Sequence, residues 1–268
     1  RDERGVERQS RGKAIVVAAG AIQTARLLLV SGLATASGHL GRHLLLGAQS
    51  VTAAELPLPH PVFGPRGGKR DFPFAERALR HGDGTLVFYL PGVNPIFDAD
   101  QAASRGDGQP PLWGAALVAR LRERFLETRR IDCETFAEPV PHADCRVDLD
   151  DATRDTHGLP VARIQAASHA HTGAASARLG DLGGSVLARI DTARVTPITR
   201  DGIYWPLQAG TARMARTDAD GVVGPDGQAF AHPGLYVADG AALPSTGSAP
   251  FTLTIMANAL RIAGRIVA

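Results

Sequence analysis

The chain has almost no lysine, almost no cysteine and no long apolar run, and each shortage narrows what it can do. Lys13 and Lys69 are the only lysines, and the formal net charge is +2. So small a balance excludes recognition of nucleic acid or of an anionic membrane surface by bulk charge. Arginine carries nearly all the positive charge; with the abundant Ala and Gly this reads as coding bias. Two cysteines, Cys133 and Cys145, are too few for a disulfide framework. They fall on what read as neighbouring strands, and two reduced, half-buried thiols are expected rather than a single bridge. The most apolar stretch, Ala14 to Val30, is broken by Gly20, Gln23, Thr24 and Arg26, so no membrane span is expected. No secretory leader is visible, which leads to the expectation of a cytoplasmic location. The first residue is Arg1 rather than Met, so the expected starting point is inside a longer gene product or after processing.

A Gly-x-Gly-x-x-Gly phosphate-binding turn is also missing. Gly221 to Gly227 has a Gly-x-x-Gly-x-x-Gly spacing, but it sits among Asp and Pro and reads as a surface turn.

What is present suffices for a sizeable core, since 44% of the 268 residues are apolar. Arg1 to Lys13 reads as a hairpin turn leading into a strand. Ala14 to Ala19 reads as a short, continuously apolar strand of the kind found in buried parallel sheets. Gly20 ends it, Thr24 to Val30 is a helix, and Ser31-Gly32 stops that helix. Strand, glycine turn and helix make half of a dinucleotide-fold unit.

From about Val51 the texture changes to segments punctuated by proline. Ser50 to Leu56, Thr85 to Leu90, Ile131 to Ala137, Arg146 to Leu149, Pro160 to Ile164 and Val186 to Ile190 are expected as strands. Leu117 to Thr128 and Ala166 to Gly183 are expected as helices, and Gly64 to Arg70 and Ala103 to Pro111 as loops. Near the end, an apolar strand delivers Asp239-Gly240, a Ser/Thr/Gly loop follows, and a helical pattern begins at Phe251-Thr252. That order offers a carboxylate, a glycine and a helix N-terminus to an anionic ligand. The expected fold class is α/β: a partial, discontinuous Rossmann-like domain with an inserted α+β domain on an antiparallel sheet. The expected boundaries are 1–50 and 201–268 for the outer domain and 51–200 for the insert.

Four blocks, in order, carry a family resemblance. The first is Gly20-Ala21-Ile22-Gln23-Thr24-Ala25-Arg26-Leu27-Leu28-Leu29-Val30-Ser31-Gly32. The second is Gly41-Arg42-His43-Leu44. The third runs from Glu138-Pro139 through Arg146-Val147-Asp148-Leu149-Asp150 to Asp155 and Gly158-Leu159-Pro160-Val161. The fourth joins Gly210-Thr211-Ala212-Arg213-Met214, Gly234 to Pro244, and Pro250-Phe251-Thr252-Leu253-Thr254-Ile255. Together they resemble the C-terminal portion of the glucose-methanol-choline oxidoreductases. The departures are Ala25 for the usual proline, His43 for an asparagine, and Gly47 for a histidine.

The resemblance implies FAD as cofactor and oxidation of a small-molecule alcohol or sugar hydroxyl by hydride transfer to the flavin. It also implies that the segment binding the ADP end of FAD comes from a separate N-terminal half or a partner chain. Asp239 and Gly240 would lie by the ribityl and pyrophosphate groups, unless they are a plain strand-ending turn. Phe251 and Thr252 would present helix N–H groups to the flavin pyrimidine ring, unless Thr252 is simply an N-cap. The family base is a histidine three residues before the Gly-Thr, and that position is Leu207. Counted instead from the following proline, it is Trp205. The second family position, a histidine or asparagine, is Pro250. None of these can accept a proton. Gln208 can hydrogen-bond a substrate without holding its proton, and His43 is placed near the cofactor by its block. His169 and His171 resemble half a metal site but have no further ligands nearby in sequence, so no metal is expected. His232, before Pro233, is expected to be exposed. With the dyad missing, a non-redox relative of lyase or cyclase type that keeps FAD, or a catalytically degenerate relative, stands beside the redox reading.

Overall fold

The structure, a computed structural model, describes residues 9–34, 36–63, 77–90, 95–104, 108–199 and 204–267. Residues 1–8 of the expected turn Arg1 to Lys13, the loop Gly64 to Arg70 and part of the loop Ala103 to Pro111 lie outside these residues. The chain divides into two units: residues 1–48, 137–175 and 202–268 form the first, and 49–136 with 176–201 the second.

In the first unit, β1 (Ile15–Val17) leads through Gly20 into α1 (Ala21–Val30). Gly20 holds φ at 81°, a left-handed conformation suited to glycine, and α1 starts immediately after it. Ala21, Thr24, Ala25 and Leu28 form the buried face of α1, the i, i+3, i+4, i+7 pattern of one helical stripe. Gly32 turns the chain out, and Leu33 N–H bonds back to Leu28 C=O at 2.9 Å. β1 pairs in parallel with β10 (Leu235–Val237), with Ile15 opposite Leu235 and Val17 opposite Val237. Val17, Leu28, Leu40, Val222, Val223, Leu235 and Val237 share one core cluster. β1 is shorter than expected and is not buried on both faces: Ile15 is 57% exposed and Val16 49%. Among the described residues its sheet has two strands, too few to cover it.

The hairpin β6 (Arg146–Arg154) and β7 (Pro160–Gln165) also belongs to this unit. The texture of the sequence had assigned residues 137–175 to the inserted segment. The physical reason for the difference is a set of anchors on α1 and the turn after it. Arg26 donates through Nη2 to Asp155 at 2.5 Å and through Nε to Pro160 C=O at 2.8 Å. Leu44 N–H bonds Cys145 C=O and Val147 N–H bonds Gly41 C=O, both at 2.8 Å.

The second unit holds a sheet with strand order β3-β4-β5-β2-β8, formed by β3 (Arg77–His81), β4 (Gly84–Tyr89), β5 (Thr128–Ala137), β2 (Leu45–Pro57) and β8 (Arg194–Thr199). β2 pairs antiparallel with β8, and β3 with β4. α2 (Pro95–Ala103) and α3 (Gly114–Arg122) precede β5, with a π-helical turn Glu123–Glu127 where a continuous helix to Thr128 had been expected. α4 (Ala170–Leu187) packs small residues against the sheet. A Cβ on Gly183 would stand 2.6 Å from Cys133 Sγ, and one on Gly180 3.2 Å from Ser50 Cβ. This close packing carries the helix through Gly183-Gly184 to the buried Leu187. The strand expected at Val186 to Ile190 is therefore helix and turn. Both cysteines are free and buried.

β9 (Tyr204–Ala209) pairs antiparallel with the start of β2, Leu45 opposite Ala209 and Leu46 opposite Gln208. α5 (Thr252–Val267) closes the chain. The architecture is mixed α/β with an antiparallel sheet. No helix among the described residues is long and apolar enough to cross a membrane.

Candidate functional site

The first unit gathers the Asp239-Gly240 turn, the Gly210-Thr211 segment and the start of α5. β10 ends by placing Ala238 N–H on Val17 C=O at 3.0 Å, and Asp239 follows, 7% exposed. Its carboxylate is held by three donors of the protein. Oδ2 accepts from Gly20 N–H at 2.8 Å and from the Thr24 hydroxyl at 2.5 Å, and Oδ1 accepts from Ala241 N–H at 2.8 Å. The negative charge thus sits at the N-terminus of α1, where the helix dipole favours it. Asp239 also caps the short 3-10 turn Gly240–Ala242.

Gly240 and Gly210 are required by the chain's own backbone. A Cβ on Gly240 would lie 2.7 Å from Gln208 C=O, and one on Gly210, at φ 91°, 2.3 Å from His43 C=O. Gly210 N–H bonds Gly240 C=O at 3.1 Å. The Thr211 hydroxyl donates to Ala21 C=O at 2.6 Å and is fully buried. These contacts fuse the two C-terminal motifs to the start of α1.

Phe251 is buried with Leu45, Ala209 and Leu243, and Leu207, Met214 and Ile255 pack against this cluster. Leu207 therefore serves as a packing residue. Pro250 and Thr252 are exposed on either side of Phe251. The first helical hydrogen bond of α5 runs from Ile255 N–H to Phe251 C=O, so the N–H groups of Thr252, Leu253 and Thr254 precede it. Gln208 is half-buried in β9; the side chain of Trp205, in the same strand, lies outside the described residues.

His43 adopts φ 59° in the turn against Gly210. Burial, then the charges of Arg213, His39, Arg42 and His142, pull its pKa down to about 4, leaving it neutral at pH 7. His169 and His171 are exposed and His232 is half-buried. Among the described residues no group of three or more His, Cys, Asp or Glu could hold a metal ion. Sequence reasoning missed Gly20, Thr24 and Thr211 as partners of the site. Each is named by a backbone geometry or a hydrogen bond that no local spacing encodes.

Comparison with known proteins gives a consistent result. The family model described as GMC oxidoreductase matches residues 141–259. The 2-methyl-1,2-propanediol dehydrogenase of Mycolicibacterium austroafricanum is 27% identical over 96% of this chain and 48% of its own length. The C-glycoside 3-oxidase of Arthrobacter globiformis is 27% identical over 94% of the chain and 46% of its own. The paromamine 6'-oxidase of Streptomyces fradiae is 28% identical over 94% and 45%. The chain spans about half the length of these curated relatives. In fold it resembles the crystal structure of pyridoxine 4-oxidase from Mesorbium loti, with a TM-score of 0.58 at 16% identity, over 94% of this chain and 51% of that one. Over residues 141–259 the chain is similar to the C-terminal portion of the GMC oxidoreductases.

Proposed function

We propose that the complete protein oxidises an alcohol or sugar hydroxyl with FAD, and that this chain supplies the C-terminal part of its Rossmann-like flavin-binding domain and its substrate domain. The observation that carries this reading is the bare first turn of α5 beside the Asp239-Gly240 turn, within a chain similar to this family. The N–H groups of Thr252, Leu253 and Thr254 are not taken up by the helix, and a helix N-terminus favours an anionic ring edge. FAD, when bound, supplies the hydride acceptor. Gly240 would allow close approach, and Asp239 would hold the turn in place through Gly20, Thr24 and Ala241 while retaining acceptor capacity for a ribityl hydroxyl.

A second observation bears on the partner. Ile15 and Val16 of β1, and Leu253, Met256 and Leu260 of α5, leave apolar surface uncovered, with Leu253 76% and Leu260 75% exposed. The α5 positions follow the i, i+3, i+7 spacing of one helical face. In this proposal the remainder of the flavin domain covers them, as a separate N-terminal half or a partner chain.

Leu207 and Pro250 stand where the family has its proton acceptor and its partner. Gln208 can orient a substrate hydroxyl, and the proton then leaves to water. The packing of Leu207 into the Phe251 cluster also favours a second reading, a non-redox or degenerate relative that keeps the flavin as structure. The test is anaerobic mixing of the completed, flavin-loaded protein with sugars and primary alcohols. Slow bleaching that accelerates about 10²–10⁴-fold in Leu207→His or Trp205→His supports the redox reading. Flavin bound but never reduced, in parent and variants alike, supports the second.

A further inference from the structure

Four imidazoles from three separate segments converge beside the turn that follows α1. His39 and His43 lie in that turn with ring centroids 5.6 Å apart. His142, before β6, and His169, before α4, lie 6.2 Å apart. Arg42 on the turn and Arg213 after β9 complete the group: the charges acting on His43 come from Arg213, His39, Arg42 and His142. Among the described residues the carboxylate paired with these imidazoles is Asp144, 3.9 Å from His142 and itself exposed. His39 Nε2 bonds Ala219 C=O at 2.9 Å. A carbonyl only accepts, so Nε2 is the donor and Nδ1 is the ring's other nitrogen. That Nδ1 and the Nδ1 of His43 are buried without a hydrogen-bond partner.

The same turn is the joint of the unit. Gly41 N–H bonds Thr211 C=O at 2.7 Å, Gly41 C=O receives Val147 N–H, and Leu44 N–H bonds Cys145 C=O. His43 is held left-handed, a strained state for a residue with a Cβ, while Gly210 presses against its carbonyl. A conformation stored under strain is released cheaply when charge is added to it.

We propose that residues 38–44 form an acid-operated latch: protonation of His43, beside Arg42, Arg213 and the neighbouring imidazoles, frees the turn from Gly210-Thr211 while the rest of the unit stays folded. The sign follows from linkage. His43 is held below its ordinary value of 6.5, so the released turn binds more protons than the closed one. Closure is complete above pH 6.5 and weakens as the pH falls toward 4. Because Gly210 N–H holds Gly240 C=O, release also loosens the Asp239-Gly240 turn; any effect on a flavin rests on the proposed function, whereas the latch does not.

Hydrogen exchange read by mass spectrometry, at pH 7.5, 6.0 and 5.0 with correction for intrinsic rates, tests it. Peptides covering 38–46 and 208–214 should lose protection roughly tenfold between pH 6.0 and 5.0, about one linked proton over one pH unit, while α5 and β5 keep theirs. His43→Asn keeps a side chain that tolerates positive φ and carries no charge, so it should flatten this response. His157→Asn, in the exposed hairpin turn, should leave it as in the parent. If His43→Asn misfolds, Arg42→Gln serves, with a weaker response expected, and the imidazole proton resonances of the parent are titrated directly. Equal protection at all three pH values, an unchanged response in His43→Asn, or uniform loss over the whole chain would overturn the latch.

Discussion

Replacing Asp239 by asparagine isolates what its carboxylate does. The three groups that point at it are all donors. Gly20 N–H and Ala241 N–H can only donate, and the Thr24 hydroxyl, which accepts from Ala19 N–H at 3.1 Å, donates to Asp239 because a carboxylate only accepts. Asparagine offers one acceptor and one amide donor. If its oxygen keeps Gly20 and Thr24, its nitrogen confronts Ala241 N–H; if it turns, its nitrogen confronts Gly20 N–H instead. The change removes a charge-assisted hydrogen bond, worth about 1.5–3 kcal/mol, and leaves a buried N–H unpaired, which costs about 1–3 kcal/mol. A loss of about 3 kcal/mol follows, measured as a lower urea midpoint at unchanged slope. Thr24→Val should cost less, and the double variant should fall short of the sum because the two share one bond. An Asp239→Asn chain within about 0.5 kcal/mol of the parent would refute the view that this carboxylate is the clasp between β10 and α1.

Three further outcomes are expected. Gly183→Ala places a methyl 2.6 Å from Cys133 Sγ and should cost about 1–3 kcal/mol in thermal or urea unfolding, with partial recovery in the Gly183→Ala/Cys133→Ala double variant. The native chain should react with a thiol reagent at pH 8 only after unfolding and then show two thiols, since burial, followed by Asp132, pushes Cys133 up to about 12 and burial raises Cys145; rapid native labelling would contradict this. Asp155 is held at about 2, chiefly by its hydrogen bond from Arg26, so the hairpin anchor is intact above pH 3.8 and is lost as the pH falls through 2. Hydrogen exchange of residues 154–160 should show the loss, and Arg26→Gln should show it already at neutral pH.

Much of the α/β frame was legible because its signals are local. Gly20 before an apolar helix, Ser31-Gly32 after it, and Asp239-Gly240 after a short strand each state their conformation within a few residues. Val186 to Ile190 misled for the opposite reason. Val186, Leu187 and Ile190 suggest a strand, but the helix is held by Gly180 and Gly183 fitting against Ser50 and Cys133, more than forty residues away in sequence. The place of residues 137–175 was hidden likewise, since it rests on Arg26 reaching Asp155 and Pro160. At the candidate site, the residues could be named from their motifs but not their engagements. Asp239 read as a ligand group, and its partners Gly20 and Thr24 sit at the other end of the chain. Leu207 read as a substituted base position, and its packing on Phe251 depends on β9 pairing with β2.

The central claim is that this chain is one part of a flavin domain whose apolar β1 and α5 surfaces meet the other. The most direct measurement is complementation: the chain is mixed or co-expressed with an N-terminal half from its own gene region or from a family relative, with FAD present, and flavin stoichiometry and amide protection are read together. The chain alone should bind FAD weakly or not at all, because in the proposed reading the ADP-binding groups come from the other part. With the half supplied, the account expects one flavin per complex and new protection at residues 15–17 and 252–260. Stoichiometric flavin on the 268-residue chain by itself, or a flavin-loaded complex in which those residues exchange as before, would contradict it.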